Sequence, residues 1–247
     1  MKKMISVFGA ATLAASLILT GCANSTETAE PAEEKTEETT GSGAVLGGWE
    51  AYTDYAQLIA EDEKTYFEEA TEKLLGVNYT PVQMLAKQVV SGTNYAYLAA
   101  TETVTKDPVK GFAIVTVYVN LEGKAEVTNV AEIDINDIKV KDNIDDAKLG
   151  GWTVEDIGKV AGISEDGEAA FSKAIEGFTG VGLKPIVLLA TQTVSGKNYK
   201  FLCRGTTVTA DPVTSLYVTT VYQDTEGKCT ITENQVFDLT AYVTPAE

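Results

Sequence analysis

Histidine is absent from all 247 residues. With it go the Ser-His-Asp and Cys-His catalytic pairs and every imidazole metal ligand. Cysteine is scarce, with three in the chain, and a nucleophilic cysteine would need a neighbouring base that no histidine can provide. Basic side chains are outnumbered 19 to 36, for a net charge of −17. A surface of that sign repels phosphate backbones, so nucleic acid is excluded as a partner. No spacing singles out a carboxylate pair for acid–base work. Asp142, Asp145 and Asp146 lack the glycine and terminal glutamate of a calcium loop. The chain is therefore read as a protein without enzymatic activity, catalytic residues, cofactor or metal site. Long apolar runs are missing as well: the stretch from Ile5 to Leu19 is shorter than the roughly 20 residues a spanning helix needs.

That short apolar stretch follows Lys2 and Lys3 and precedes small residues, the order of an export signal. Its end, Leu19-Thr20-Gly21-Cys22, resembles the lipobox of bacterial lipoproteins. The resemblance implies cleavage after residue 21 and acylation of Cys22, which would fix the protein by lipid to the extracytoplasmic side of the cell membrane. Residues 22–43 hold Glu27, Glu30, Glu33, Glu34, Glu37 and Glu38 against Lys35, with no aromatic or large aliphatic residue. Such a segment buries too little to offset chain entropy and reads as a disordered acidic tether.

The chain as a whole is 44% apolar, enough for packed cores, and beyond the tether it is one unit written twice. At an offset of 104, Pro81 to Asp134 lies over Pro185 to Asp238 without a gap, with 24 of 54 positions identical. Upstream, Leu46-Gly47-Gly48-Trp49 lies over Leu149-Gly150-Gly151-Trp152. Two domains result, 44–135 and 149–247, joined by a polar linker, 136–148. Each is of a size to hold a core. Phe67, Ala70 and Leu74, and Phe171, Ala174, Ile175 and Phe178, mark one apolar helix face per copy. Ser164 reads as an N-cap, and Gly76 and Gly180 as helix stops. Four strands should follow in the first copy: Leu85 to Val90, Asn94 to Thr103, Phe112 to Val119 and Ala125 to Ile135. Tyr95, Tyr97 and Ala99 share one strand face, as do Tyr199, Phe201 and Cys203, and that face should meet the helix. The class is α+β, each copy laying one helix across an antiparallel sheet of four to five strands. Asp107-Pro108-Val109 and Asp211-Pro212-Val213 read as turns, and Trp49 and Trp152 as core or sheet-edge packing.

Between two strands of each copy stands Gln-x-Val-x-Gly followed by Asn-Tyr: Gln88, Val90, Gly92, Asn94 and Tyr95, then Gln192, Val194, Gly196, Asn198 and Tyr199. This resembles the first binding hairpin of the cystatins, inhibitors of papain-like cysteine proteases. The resemblance implies tandem cystatin-like domains and a non-covalent wedge made of an N-terminal glycine, the Gln-x-Val-x-Gly hairpin and a second hairpin. The glycine would be Gly47 or Gly48 in the first copy and Gly150 or Gly151 in the second. The second hairpin departs from the family, with Leu121-Glu122-Gly123-Lys124 and Thr225-Glu226-Gly227-Lys228 where Pro-Trp is common. Two functions follow: inhibition of a papain-like cysteine protease, or a non-inhibitory extracellular binding or spacer module on the same scaffold. The partners expected are a papain-like cysteine protease or another extracellular protein, and the membrane through lipidated Cys22. An even cysteine pair in an exported chain suggests a disulfide. In the cystatin strand order, however, Cys203 and Cys229 lie two strand spacings of about 4.8 Å apart, beyond the roughly 7 Å reach of a bridge, and two buried thiols are expected.

Overall fold

The two copies repeat one order of elements. In the first, strands β1 (Ala44–Val45) and β2 (Trp49–Ala51) precede helix α1 (Glu61–Thr71), and β3 (Val77–Val90), β4 (Gly92–Thr103), β5 (Lys110–Val119) and β6 (Ala125–Ile133) follow. In the second, β7 (Thr153–Val154) precedes α2 (Glu165–Ala174), followed by β8 (Val181–Val194), β9 (Gly196–Thr207), β10 (Thr214–Gln223), β11 (Cys229–Val236) and a helical turn, α3 (Thr240–Val243). The computed structural model describes residues 44–45, 48–52, 59–138, 151–154 and 162–243. The signal segment, the tether with Cys22, Gly47, Gly150 and residues 139–148 of the expected linker lie outside the described residues. Each sheet is antiparallel and runs in chain order, β1 to β6 and β7 to β11, with the helix between its short leading strand and its long ones. The α+β class holds. The first sheet has six strands instead of four to five, because β1 turns back on β2.

Both helices start as their sequences direct. The Ser164 hydroxyl accepts from the Gly167 amide at 3.3 Å. In the first copy Ala60 stands at the cap, and the Glu63 carboxylate accepts from the Ala60 amide instead, also at 3.3 Å. Phe67, Ala70, Phe171 and Ala174 are buried on the expected faces. The helices are shorter than the periodicity suggests: Leu74, Ile175 and Phe178 lie past their ends. Gly76 and Gly180 then turn the chain at φ 89° and 92°. Each helix is pinned by an edge-on aromatic pair, Phe67 on Tyr97 at 5.2 Å and Phe171 on Phe201 at 5.1 Å. The Tyr97 hydroxyl donates to the Glu63 carbonyl, and burial drives its pKa upward.

The third strand departs most from the sequence reading, starting at Val77 instead of Leu85. Pro81 sits inside it and keeps its pairing with Ala99 on the β4 side, while among the described residues β2 pairs with Ala86 and Lys87. Register slips at Pro81/Gln83 and Met84/Ala86 bend the strand, and the same slips recur at Pro185/Val187 and Leu188/Ala190.

The residues alternating along each sheet enter different cores. Tyr97, Ala99, Ala113 and Val115 pack with Phe67 and Ala70 under α1, and Tyr199, Phe201 and Cys203 pack with Phe171 under α2. These are the helix-facing sets expected. The opposite faces meet each other: Leu98, Phe112 and Ile114 share one core with Leu189, Leu202 and Leu216. The layers thus run helix, sheet, sheet, helix. Polar bonds between described residues cross from one copy to the other. Asn129 donates to the Tyr242 carbonyl at 2.7 Å, and the buried Lys200 ammonium donates to the Ile135 carbonyl at 2.8 Å while lying 4.4 Å from the centre of the Trp152 ring. Trp49 is buried in this shared core and Trp152 packs against it. Within the second sheet, a Cβ on Gly205 would stand 2.5 Å from the Tyr217 ring, whereas the first copy has Thr101 and Ala113 at the matching positions.

Cys203 and Cys229 are buried and unbridged, as the strand spacing requires. Burial pushes the Cys203 thiol up to about 12. With the Cys203 thiolate suppressed and both sulfurs buried, neither thiol of the native protein should react with an aromatic disulfide reagent at neutral pH. Both should react in denaturant without prior reduction, and a reduction requirement would contradict the unbridged state.

Candidate functional site

The Gln-x-Val-x-Gly segment forms the tip joining β3 to β4. Pairing runs Gln88 to Asn94, Val89 to Thr93 and Val90 to Gly92, leaving Ser91 as the reversal. The second copy repeats it with Gln192 to Asn198 and Val194 to Gly196 around Ser195. So tight a reversal needs a residue free of Cβ constraints. Gly92 has φ 135° and Gly196 φ 122°. A second demand comes from the next strand: a Cβ on Gly92 would lie 2.5 Å from the Val119 carbonyl oxygen and 2.7 Å from the Tyr118 ring. Gly196 faces Gln223 and Tyr222 in the same way.

The glutamines are not loose edge residues. Asn94 Nδ2 donates to Gln88 Oε1 at 2.8 Å, and Asn198 Nδ2 to Gln192 Oε1 at 2.7 Å, so Gln and Asn of the shared pattern clamp each other across the hairpin. A further residue escaped the sequence reading. The Tyr118 hydroxyl donates to the Ser91 carbonyl at 2.6 Å, and Tyr222 to Ser195 at 2.5 Å, propping both tips from β5 and β10. The signal was present in the repeat, since Tyr118 and Tyr222 are 104 residues apart like the other matched pairs between Pro81 and Asp134.

The valines point outward instead of packing down. Val89 is 73% exposed, Val90 47% and Val194 43%. The turn after β5 lies at the same end of the first sheet, because Thr93 pairs with Val119, and it carries Leu121 at 86% exposure. That turn is held by the Asn120 side chain, which accepts from the Glu122 and Lys124 amides at 3.0 Å each. The entry to β2 completes the row. Gly48 has φ 81°, and a Cβ there would be 3.9 Å from Gln88 Nε2, so the residue stands beside the hairpin. In the first copy the N-terminal glycine, the first hairpin and the second hairpin are thus side by side.

The second copy keeps the geometry but not the chemistry. Thr193 replaces Val89 and Thr225 replaces Leu121, leaving Val194 as the apolar residue of its tip. Gly151 is exposed and has nothing near its Cβ position. No group of three His, Cys, Asp or Glu placed to hold a metal occurs among the described residues. No family model and no curated protein matches the chain.

Proposed function

We propose that this chain is an exported, lipid-anchored surface protein whose two copies are cystatin-like units, and that the first copy's row of turns docks without a covalent bond into the cleft of a papain-like cysteine protease. The observation that carries this reading is the exposure of Val89, Val90 and Leu121 on turns that are otherwise fixed by hydrogen bonds. Exposed apolar side chains on a pre-ordered edge lose little freedom on binding, which is how such an edge gains affinity. A helix inserted between the leading strand and a four-strand meander agrees with the cystatin topology. The tether and Cys22 would hold the unit outside the membrane.

The polar tip of the second copy favours a different role there, as a non-inhibitory module that supports the first. Inhibition of papain by residues 44–247 tests both assignments. Val90→Asp with Leu121→Asp should weaken inhibition by about 30-fold or more, the loss expected when apolar anchors are removed. Val194→Asp should leave inhibition unchanged. Absence of inhibition by the folded parent protein at high micromolar concentration would eliminate the protease assignment.

A further inference from the structure

The polar bonds that join the copies also fix which ends of the two sheets lie together. In the first copy Asn129 pairs with Thr116 and Thr116 with Ala96, five residues from the Ser91 tip, whereas Ile135 lies two residues beyond Ile133, which is in register with Phe112 and Ala100. In the second, Lys200 is five residues from the Ser195 tip. The chain leading to Tyr242 leaves that sheet where the Phe237 amide donates to the Leu216 carbonyl, opposite Arg204 and nine residues from the tip. Asn129 reaches Tyr242 and Lys200 reaches Ile135, so the near-tip part of each copy meets the far part of the other. The sheets therefore lie head to tail, and the two Gln-x-Val-x-Gly tips point to opposite ends of the pair.

Beside the first tip stands the turn between β9 and β10 of the second copy. Four residues separate Val208 from Arg204 and five separate Ser91 from Ala96, so at about 3.3 Å per residue both ends extend roughly 13–17 Å past the Asn129–Tyr242 junction, on sheets about 10 Å apart. Hydrogen bonds fix this turn as they fix the hairpin. The Val208 amide donates to the Gly180 carbonyl at 2.9 Å, the Thr207 amide to the Val213 carbonyl at 2.9 Å and the Thr209 hydroxyl to the Asp211 carbonyl at 2.8 Å. Val208 is nevertheless 74% exposed and Val213 55%. Val89, Val90 and Leu121 thus have two further apolar side chains at their own end, supplied by the other copy. An interface of ordinary size takes about 800 Å² from each partner, more than the turns of one sheet present and wide enough to span both sheets. The polar tip of the second copy has no part in it, since that tip lies at the other end with Val104 and Val109. On the premise that the first copy's edge is the protease-binding one, we propose that Val208 and Val213 extend that edge and contact the same papain-like protease at an apolar patch beside its cleft.

Papain inhibition by residues 22–247 carrying Cys22→Ser is measured beside paired variants. Val208→Asp with Val213→Asp should raise the inhibition constant at least about tenfold, a loss typical of removing apolar interface contacts. Val104→Asp with Val109→Asp makes the same change on the equivalent turn of the first copy, at the opposite end, and should leave the constant unchanged. Val208→Thr with Val213→Thr keeps the side-chain shape and should weaken inhibition in the same direction, which decides the matter where the aspartates unfold the chain. Loss confined to the second copy's pair supports the composite edge. Inhibition unaltered by either pair overturns it and leaves the protease assignment standing. Equal loss from both pairs also overturns it, since added negative charge would then suffice. A folded parent that does not inhibit removes the protease assignment and this contact together.

Discussion

Phe112→Ala should destabilise both copies together, by about 3–5 kcal/mol, the range for emptying a buried phenylalanine site. Phe112 belongs to the core that the two sheets build between them. Burial of a large apolar side chain contributes about 1.5–3 kcal/mol. Exposing Leu98, Phe112 and Ile114 alone would then forfeit on the order of 5–9 kcal/mol, which is comparable with the whole stability of a typical domain. A copy that loses its partner face therefore has little left to hold it. The two tryptophans provide the measurement, because Trp49 lies in the first copy and Trp152 in the second, both against the shared core. Single-tryptophan proteins, made with Trp49→Phe or Trp152→Phe, should give coincident denaturation midpoints, and Phe112→Ala should lower both equally. A midpoint that falls for the Trp49 reporter alone would mean that the copies unfold independently.

Gly92→Ala should cost much more than Gly123→Ala, although both positions have positive φ. Gly123 is at φ 80° with nothing within 4 Å of its Cβ position, so alanine there meets only the backbone penalty, about 1 kcal/mol. At Gly92 the strained φ adds about 1–3 kcal/mol, and the methyl group would also collide with the Val119 carbonyl and the Tyr118 ring. Neither neighbour can yield cheaply. Val119 belongs to the β4–β5 ladder, and moving Tyr118 breaks its bond to Ser91. Gly92→Ala should therefore lower the denaturation midpoint by several degrees more than Gly123→Ala, and papain inhibition should disappear while the far-ultraviolet circular dichroism keeps its sheet signature. Equal midpoints for the two variants would show that φ alone makes glycine necessary at the tip. Tight inhibition retained by Gly92→Ala would mean that the hairpin does not enter the partner.

Much of this architecture was legible from periodicity. The helix faces through Phe67 and Phe171, the Ser164 cap and the helix-facing Tyr95, Tyr97 and Ala99 follow from spacing, because each depends on contacts within its own copy. The face formed by Leu98 and Ile114 was harder to place. Alternation distinguishes the two sides of a strand but does not say what covers the second, and Tyr97 to Ala99 and Phe112 to Val115 are apolar on both sides. The early start of β3 was hidden by Pro81, a residue that interrupts most strands. The hairpin motif was readable as a motif. Its Gln–Asn clamp and tyrosine prop were not, since they join residues 6 and 27 positions apart through a register that only the folded sheet supplies.

The Gly205–Tyr217 contact has a consequence for how the two copies could be exchanged. Where the second copy sets a glycine against a large ring, the first has Thr101 and Ala113 at the matching positions. Moving Tyr217 into the first copy requires a glycine at 101 at the same time, because a tyrosine at 113 with Thr101 still present would overlap it. Removing the ring from the second copy first would leave a void beside Gly205. Each single step passes through a less stable protein. The two halves are thus complementary solutions separated by a barrier, and a chimaera that exchanges whole hairpins should be tolerated better than one that exchanges single residues.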